Sequence, residues 1–470
     1  MSESTGAAGA RPAVPDEQRI ADAVRDGFPR AVARLGELVR IPSVSWPAFE
    51  RAHVRRSAEQ VAELARTTGL FERVEIHEVA DERGRMGQPA VLAVRPAAEG
   101  MPTVMLYAHH DVQPPGDDAL WETPVFEPTV RGERLYGRGA SDDKAGVMVH
   151  IAALEALRDA TGGDPRIGVV LFVEGEEEDG SPSFARFLAA HAEALRADVI
   201  VVADSDNPST EVPGLTVSLR GNVVMRVRIR TLEHASHSGM WGGAVPDALL
   251  AAFRTLDSLW DAEGRVAVPG LVRHEASTAD EGEEALRRDA GVLPGVRTIG
   301  EGTVRDRLWH QPAITITGID APDVANASNT ILPETTVRLS ARIAPGQDPQ
   351  AAADAIVAHL RKHAAFGAHL EVSELDLGAA FLVDVEAPAV REMIGAMRDG
   401  WGAEPELTGI GGSIPFIAQL VERFPEAQIL VTGVEDPQTR AHSPNESQHL
   451  GVLRRAVLSE ALFLSRLGRG

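Results

Sequence analysis

At 470 residues, 44% of them hydrophobic, the chain is too long for one ordinary domain and apolar enough to fill two or three cores. Its 46 Lys and Arg against 69 Asp and Glu leave a formal net charge of −23, which argues against nucleic acid and anionic membrane as partners. With no cysteine, disulfides, thiolate metal sites and a cysteine nucleophile are excluded, and any metal falls to His and carboxylate.

No apolar run approaches the ~18 residues of a membrane span. The opening MSESTGAAGARPAVPDE has no basic stretch followed by an apolar one. Residues 1–15 are therefore expected to be a flexible tail rather than an export signal, and the chain is expected in the cytoplasm. Apolar spacing in DEQRIADAVRDGFPRAVARLGELVRI predicts helix, with a break near Gly27, Phe28 and Pro29. Short runs rich in Val, Ile and Leu at 103–108, 166–173, 197–203 and 427–433 read as strands buried on both faces. Stretches 144–160 and 181–195 read as helices between them. This alternation predicts an α/β fold on a mostly parallel sheet.

The middle of the chain reads differently. LTVSLRGNVVMRVRIRT (215–231) and TTVRLSARIAP (335–345) alternate apolar and polar residues, as half-exposed antiparallel strands do. Stretches 246–260 and 349–364 are amphipathic helices, and the acidic stretch 275–290 reads as a surface loop or short helix. The pattern predicts an α+β insertion over 218–378, splitting a catalytic domain into 16–217 and 379–470.

Each buried strand runs into acid or imidazole: His109, His110 and Asp111 after the first, the cluster EGEEEDGS (174–181) after the second, Asp204 after the third, and His442 shortly beyond the fourth. In open α/β sheets ligands collect outside the carboxyl ends of the strands, so these groups are expected at one edge. At the spacing of His109 and Asp111, the ring can bind a metal through one nitrogen while Asp111 orients it through the other. LYGRGASDDKAG (135–146) lacks the Gly-Lys-Ser/Thr of a phosphate loop. It reads either as a tight turn with helix-capping acids or as the loop that carries Asp142 into the site. Adjacent carboxylates such as Glu177 and Glu178 raise one another's pKa, and a divalent cation reverses that penalty. Such a hard, oxygen-rich set suits Zn²⁺, Mn²⁺ or Co²⁺, with one unbound carboxylate as general base.

The motifs HHDVQP, GRGASDDK, EGEEEDGS, ADSDN, HSGMWGG, ARIAPG, GGSIP and AHSPNE follow in order from about 105 to 446. With them the chain resembles the M20 family of dinuclear-zinc metallopeptidases, in its dipeptidase branch of carnosinase-like and related bacterial enzymes. The resemblance implies a zinc-peptidase-like catalytic domain with an inserted lid and dimerisation domain, and a homodimer. It implies two divalent ions, Zn²⁺ first and Mn²⁺ or Co²⁺ as alternatives: His109 and Asp204 on one, Glu178 and His442 on the other, and Asp142 bridging them. Asp111 would orient His109, Glu177 would be the general base acting on a metal-bridging water, and His237 would stabilise the oxyanion. Arg342, Ser413 and Thr330 would bind substrate, a small peptide with a free C-terminal carboxylate. An N-acyl amino acid amidohydrolase on the same fold and a metal-free scaffold protein are the alternatives. His110, beside the expected ligand, Glu176 and Asp206 carry no assigned role, and Asp179 is expected to cap the following helix.

Overall fold

The computed structural model describes residues 17–275, 282–412 and 415–469. Two compact units are present. The first runs to Thr216 and adds Asp384–Leu407 and Leu420 onward; the second is Val217–Val383 with Thr408–Gln419.

In the first unit, Thr103–His109 pairs in parallel with Gly168–Glu174 on one side and with Val199–Ala203 on the other. Gln428–Thr432 continues the parallel set beside Val199–Ala203. Ala90–Arg95 and Arg73–His77 add an antiparallel edge, for which the sequence reading had no strands. Every residue of Gly168–Glu174 and Val199–Ala203 is buried, so the sequence shows continuous apolar runs there instead of alternation. Each Val, Leu or Ile so buried contributes about 1.5–3 kcal/mol. At the end of Gln428–Thr432, Gly433 passes so close to the backbone of Ser205 that a Cβ would lie 1.4 Å from its carbonyl oxygen. Any side chain at 433 would force apart the two strand ends that lead to Asp204 and His442.

The predicted helix break at Gly27–Pro29 does not form: Glu17–Val39 is one helix with Pro29 inside it. Pro29 is exposed, so the carbonyl it leaves without a partner meets water. The buried stripe of Ile20, Val24, Ala31, Leu35 and Leu38 keeps helical spacing across it, and that burial outweighs the lost bond. Lys144 opens the helix Lys144–Thr161 and clamps the end of the first helix, donating from Nζ to Leu38 O at 2.9 Å and Ile41 O at 2.7 Å. The helix expected over 181–195 is shorter, Phe184–Ala190, with Phe184, Phe187 and Leu188 buried.

The second unit holds a four-stranded antiparallel sheet in the order Ala313–Ile319, Glu334–Ile343, Gly221–Arg230, His369–Gly378. Val223, Met225, Val227 and Ile229 alternate inward and pack with Ala252 and Leu256 of Ala248–Asp257 and Ile356 and Leu360 of Pro349–Lys362. The run 215–231 forms two strands, Gly214–Leu219 and Gly221–Arg230, parted at Arg220. Within 275–290 the structure has a helix, Gly282–Asp289, and residues 276–281 lie outside the described residues. Among the described residues no helix is long and apolar enough to cross a membrane.

Candidate metal centre

The strand Thr103–His109 ends in the His109 ring, 1% exposed, and Asp111 follows with no exposure at all. His109 Nδ1 stands 3.3 Å from Asp111 Oδ1 and 3.2 Å from the Asp111 carbonyl oxygen, so its proton belongs on Nδ1. Asp111 is held in turn by the next strand end. Its carboxylate accepts from Glu177 N at 3.2 Å and Glu178 N at 3.0 Å. Burial works against its charge, but the bond to His109 prevails and keeps its pKa below the usual value.

Across the ring, Asp142 Oδ1 lies 3.1 Å from His109 Nε2 and Asp204 Oδ1 lies 3.8 Å from it. The other Asp142 oxygen is 2.9 Å from His442 Nε2, which is 3.2 Å from Glu178 Oε2. Gln113 steadies Glu178, donating from its backbone N at 3.0 Å and from Nε2 at 2.6 Å. Two triads result, His109–Asp142–Asp204 and Asp142–Glu178–His442, each with its ligand atoms within 4.8 Å of one another. Four strand ends thus deliver these groups to one place, and Asp142 is common to both sets.

The donor set fits divalent metal. His109 Nε2 is buried and makes no hydrogen bond. With the proton on Nδ1, Nε2 presents a lone pair toward two carboxylate oxygens, an arrangement that a cation between them resolves. The carboxylates show the same strain. Burial, then the charges of Asp204, Glu178 and Asp111, push Glu177 up to about 9. Burial and Asp142 push Glu178 up to about 7. His442 is raised to about 11 by its bonds to Asp142 and Glu178.

Two anchors in this region carry no role in the sequence reading. Glu446 is fully buried, and its carboxylate accepts from Arg138 Nη1 at 2.7 Å, Gly139 N at 2.9 Å, Ser141 N at 2.9 Å and Asp142 N at 3.1 Å. It ties the loop that carries Asp142 to the loop that carries His442, whose backbone is held at φ 58°. Asp143 accepts from His109 N at 3.1 Å, and a Cβ at Gly146 would lie 2.1 Å from its carboxylate. Only their place within recognised motifs, GRGASDDK and AHSPNE, singled these residues out. Glu435, also unassigned, has its pKa driven up by burial and by the charges of Asp142 and Asp204.

His110 faces away from the triads. Its Nε2 bonds to Pro89 O at 2.9 Å, and burial lowers its pKa to about 4, so it is a neutral structural residue. Glu176 is buried and accepts from Gln88 N at 2.8 Å and Ser183 N at 2.7 Å. The cap expected of Asp179 does not form: the helix Phe184–Ala190 starts at Ser183 without a side-chain cap. Asp206 belongs to neither triad and forms a backbone bridge with Glu435.

In the second unit, His237 and Thr330 face each other across a two-stranded ribbon. His237 Nδ1 accepts from Gly239 N at 3.0 Å, which leaves its proton on Nε2 as an outward donor. Arg342 lies on Glu334–Ile343, paired with Asn222 and Ala313. Ser413 lies outside the described residues.

Four strand ends feeding two His–carboxylate triads through a shared aspartate define a metal-dependent hydrolase of the α/β class. The chain belongs to peptidase family M20/M25/M40, whose model matches residues 105–466. It is 34% identical over 386 residues to the cysteinylglycine-S-conjugate dipeptidase of Corynebacterium striatum, covering 81% of this chain and 84% of that one. Its fold matches the di-peptidase Dug1p of Saccharomyces cerevisiae with a TM-score of 0.72 at 21% identity, over 97% of this chain and 100% of the other. It matches human carnosine dipeptidase 1 with a TM-score of 0.69 at 23% identity, again over 97% and 100%.

Proposed function

We propose that this metallopeptidase is a dipeptidase that hydrolyses the peptide bond of dipeptides or short peptides ending in a free carboxylate, with two divalent ions, Zn²⁺ first, and that it works as a homodimer. One observation carries the reading: two triads meet at Asp142, and the buried Nε2 of His109 points into one of them without a hydrogen bond. His109 and Asp204 would hold one ion, Glu178 and His442 the other, and Asp142 both. When bound, the ions polarise the scissile carbonyl and make water acidic enough to attack at neutral pH.

The chain's own groups do the rest. Asp111 keeps the His109 proton on Nδ1 and fixes the ring. Glu177, held beside Glu178 by the bonds of both backbone N–H groups to Asp111, takes the proton of the attacking water and returns it to the departing amine. A bound cation would lower the raised pKa of Glu177, so that it meets the water ionised. His237, with its proton on Nε2, is the proposed donor to the oxyanion. Arg342, Thr330 and Ser413 are the proposed contacts of the substrate's carboxylate end, where a guanidinium offers two parallel donors.

The deciding experiment measures metal content by mass spectrometry and then rates on cysteinylglycine, its S-conjugates and β-alanyl-histidine against N-acetyl and N-succinyl amino acids. Two ions per chain with cleavage of the dipeptides supports the reading. Cleavage of the acyl substrates alone would make the protein an amidohydrolase, and no activity with any metal would make it a binding protein.

A further inference from the structure

The second unit contains a hollow of about 390 Å³, within the range of small-molecule pockets. It is lined entirely by residues between Arg220 and Thr315, and none of the triad residues reaches it. Trp260, Val266, Leu286, Val292, Val304 and Ile314 give it apolar walls. Its polar lining is of one sign. Five guanidinium groups, from Arg220, Arg265, Arg273, Arg297 and Arg307, face it, and among the described residues no Asp or Glu does. In a chain of net charge −23 that concentration of cation runs against the average.

Two of the five are already neutralised, Arg265 by Asp261 and Glu301, and Arg307 by Glu283. The other three have no carboxylate partner among the described residues. Arg220 is the most telling. It is 8% exposed, and among the described residues it donates to backbone carbonyls alone: Nε to Gly411 O at 2.9 Å, and Nη1 to Gln311 O at 3.2 Å and Arg307 O at 3.4 Å. Burial, and the charge of Arg342 near it, pull its pKa down to about 10. Arg273 donates to the carbonyl of Val266, and Arg297 is exposed at the rim. A buried cation without a counter-charge is costly, and an oxyanion beside it removes that cost. Guanidinium, weakly hydrated and planar, is the cation best suited to meet an oxyanion at the edge of an apolar space.

We propose that this hollow binds a small organic anion, an apolar chain or ring carrying one carboxylate or phosphate head, with the head at Arg220 and Arg297 and the body against Trp260, Val292 and Ile314. The amphiphile's two halves match the two kinds of lining. Neither a free inorganic anion nor a neutral hydrocarbon would use both. The proposal does not depend on the dipeptidase reading, since no residue assigned to that reaction lines the hollow.

Calorimetry and tryptophan fluorescence on the full-length protein test it with four probes: octanoate, octyl phosphate, octanamide and acetate. Saturable binding of octanoate or octyl phosphate is expected, and which of the two binds more tightly identifies the head. Trp260→Phe should abolish the fluorescence change while leaving the heat. Arg297→Glu, at an exposed position that folding tolerates, should weaken binding roughly tenfold. Val292→Trp, which fills the space, should abolish it. The proposal is overturned if octanamide or acetate binds as well as octanoate, if no anionic probe binds, or if binding survives both Arg297→Glu and Val292→Trp.

Discussion

The two triads that meet at Asp142 are built unequally. In the first, His109 is 1% exposed, sits on a central strand and is fixed by a fully buried Asp111. In the second, the imidazole belongs to His442, whose side chain is 59% exposed and whose backbone sits at φ 58° on a loop. One half is set by the sheet and the other by loop contacts, above all those of Glu446. The difference teaches that a paired metal site can join a rigid half to a more yielding one, and that a shared carboxylate makes each half depend on the other.

Four measurements would break or sharpen this contrast. The largest effect belongs to the shared residue: Asp142→Ala should lose both ions and reduce peptidase activity to background, and retention of one tightly bound ion would show that the triads are independent. Glu177→Gln should lower kcat by roughly 10²–10⁴ with both ions retained, because it removes a proton carrier and no ligand. Loss of an ion in that variant would show that Glu177 ligates instead. Asp111→Asn should cost about 10–100-fold in metal affinity, more in the His109 half than in the other. Titration with a chelator should strip the His442 half first in the native protein and reverse that order in Asp111→Asn.

The smallest effect is on stability and depends on pH. Glu177 at about 9, Glu174 at about 8 and Glu178 at about 7 all lie above the unfolded carboxylate value, burial being the leading cause for each. Groups with raised folded pKa stabilise the fold fully below the unfolded pKa and lose that contribution as pH rises through the folded values. His442, raised to about 11, loses its share over a window that begins near neutrality. The metal-stripped protein should therefore lose stability from about pH 5, through the acids to about pH 9 and through His442 to about pH 11, whereas bound cations hold the acids ionised at little cost. The difference in Tm between loaded and stripped protein should widen steadily over that range. A constant difference would mean that the acids ionise freely in the folded state.

The first half was the more legible in sequence, for a physical reason. A strand buried on both faces leaves a continuous apolar run, and the polar residue that ends it marks a functional edge, so His109 and Asp204 could be placed from local pattern. The bonds of Glu446 to Ser141 and Asp142 span 305 and 304 positions, and such contacts leave no periodic trace. The same limit explains the uninterrupted helix through Pro29, where a buried stripe overrode a local breaker, and the strand division at Arg220, whose backbone N bonds to Ile410 O 3.2 Å away. His110 stood beside a candidate ligand in sequence, yet the alternation of side chains turned it to the other face.

The reach of Glu446 also bears on biosynthesis. Asp142 precedes Glu446 by 304 positions, belongs to both triads and sits on the loop that Glu446 holds, so neither half of the centre is set before the C-terminal segment is made. Until the C-terminal segment emerges and Glu446 closes on the 139–142 loop, a growing chain holds an incomplete and therefore inactive centre. Hydrolytic competence therefore waits on the last part of the chain to be made.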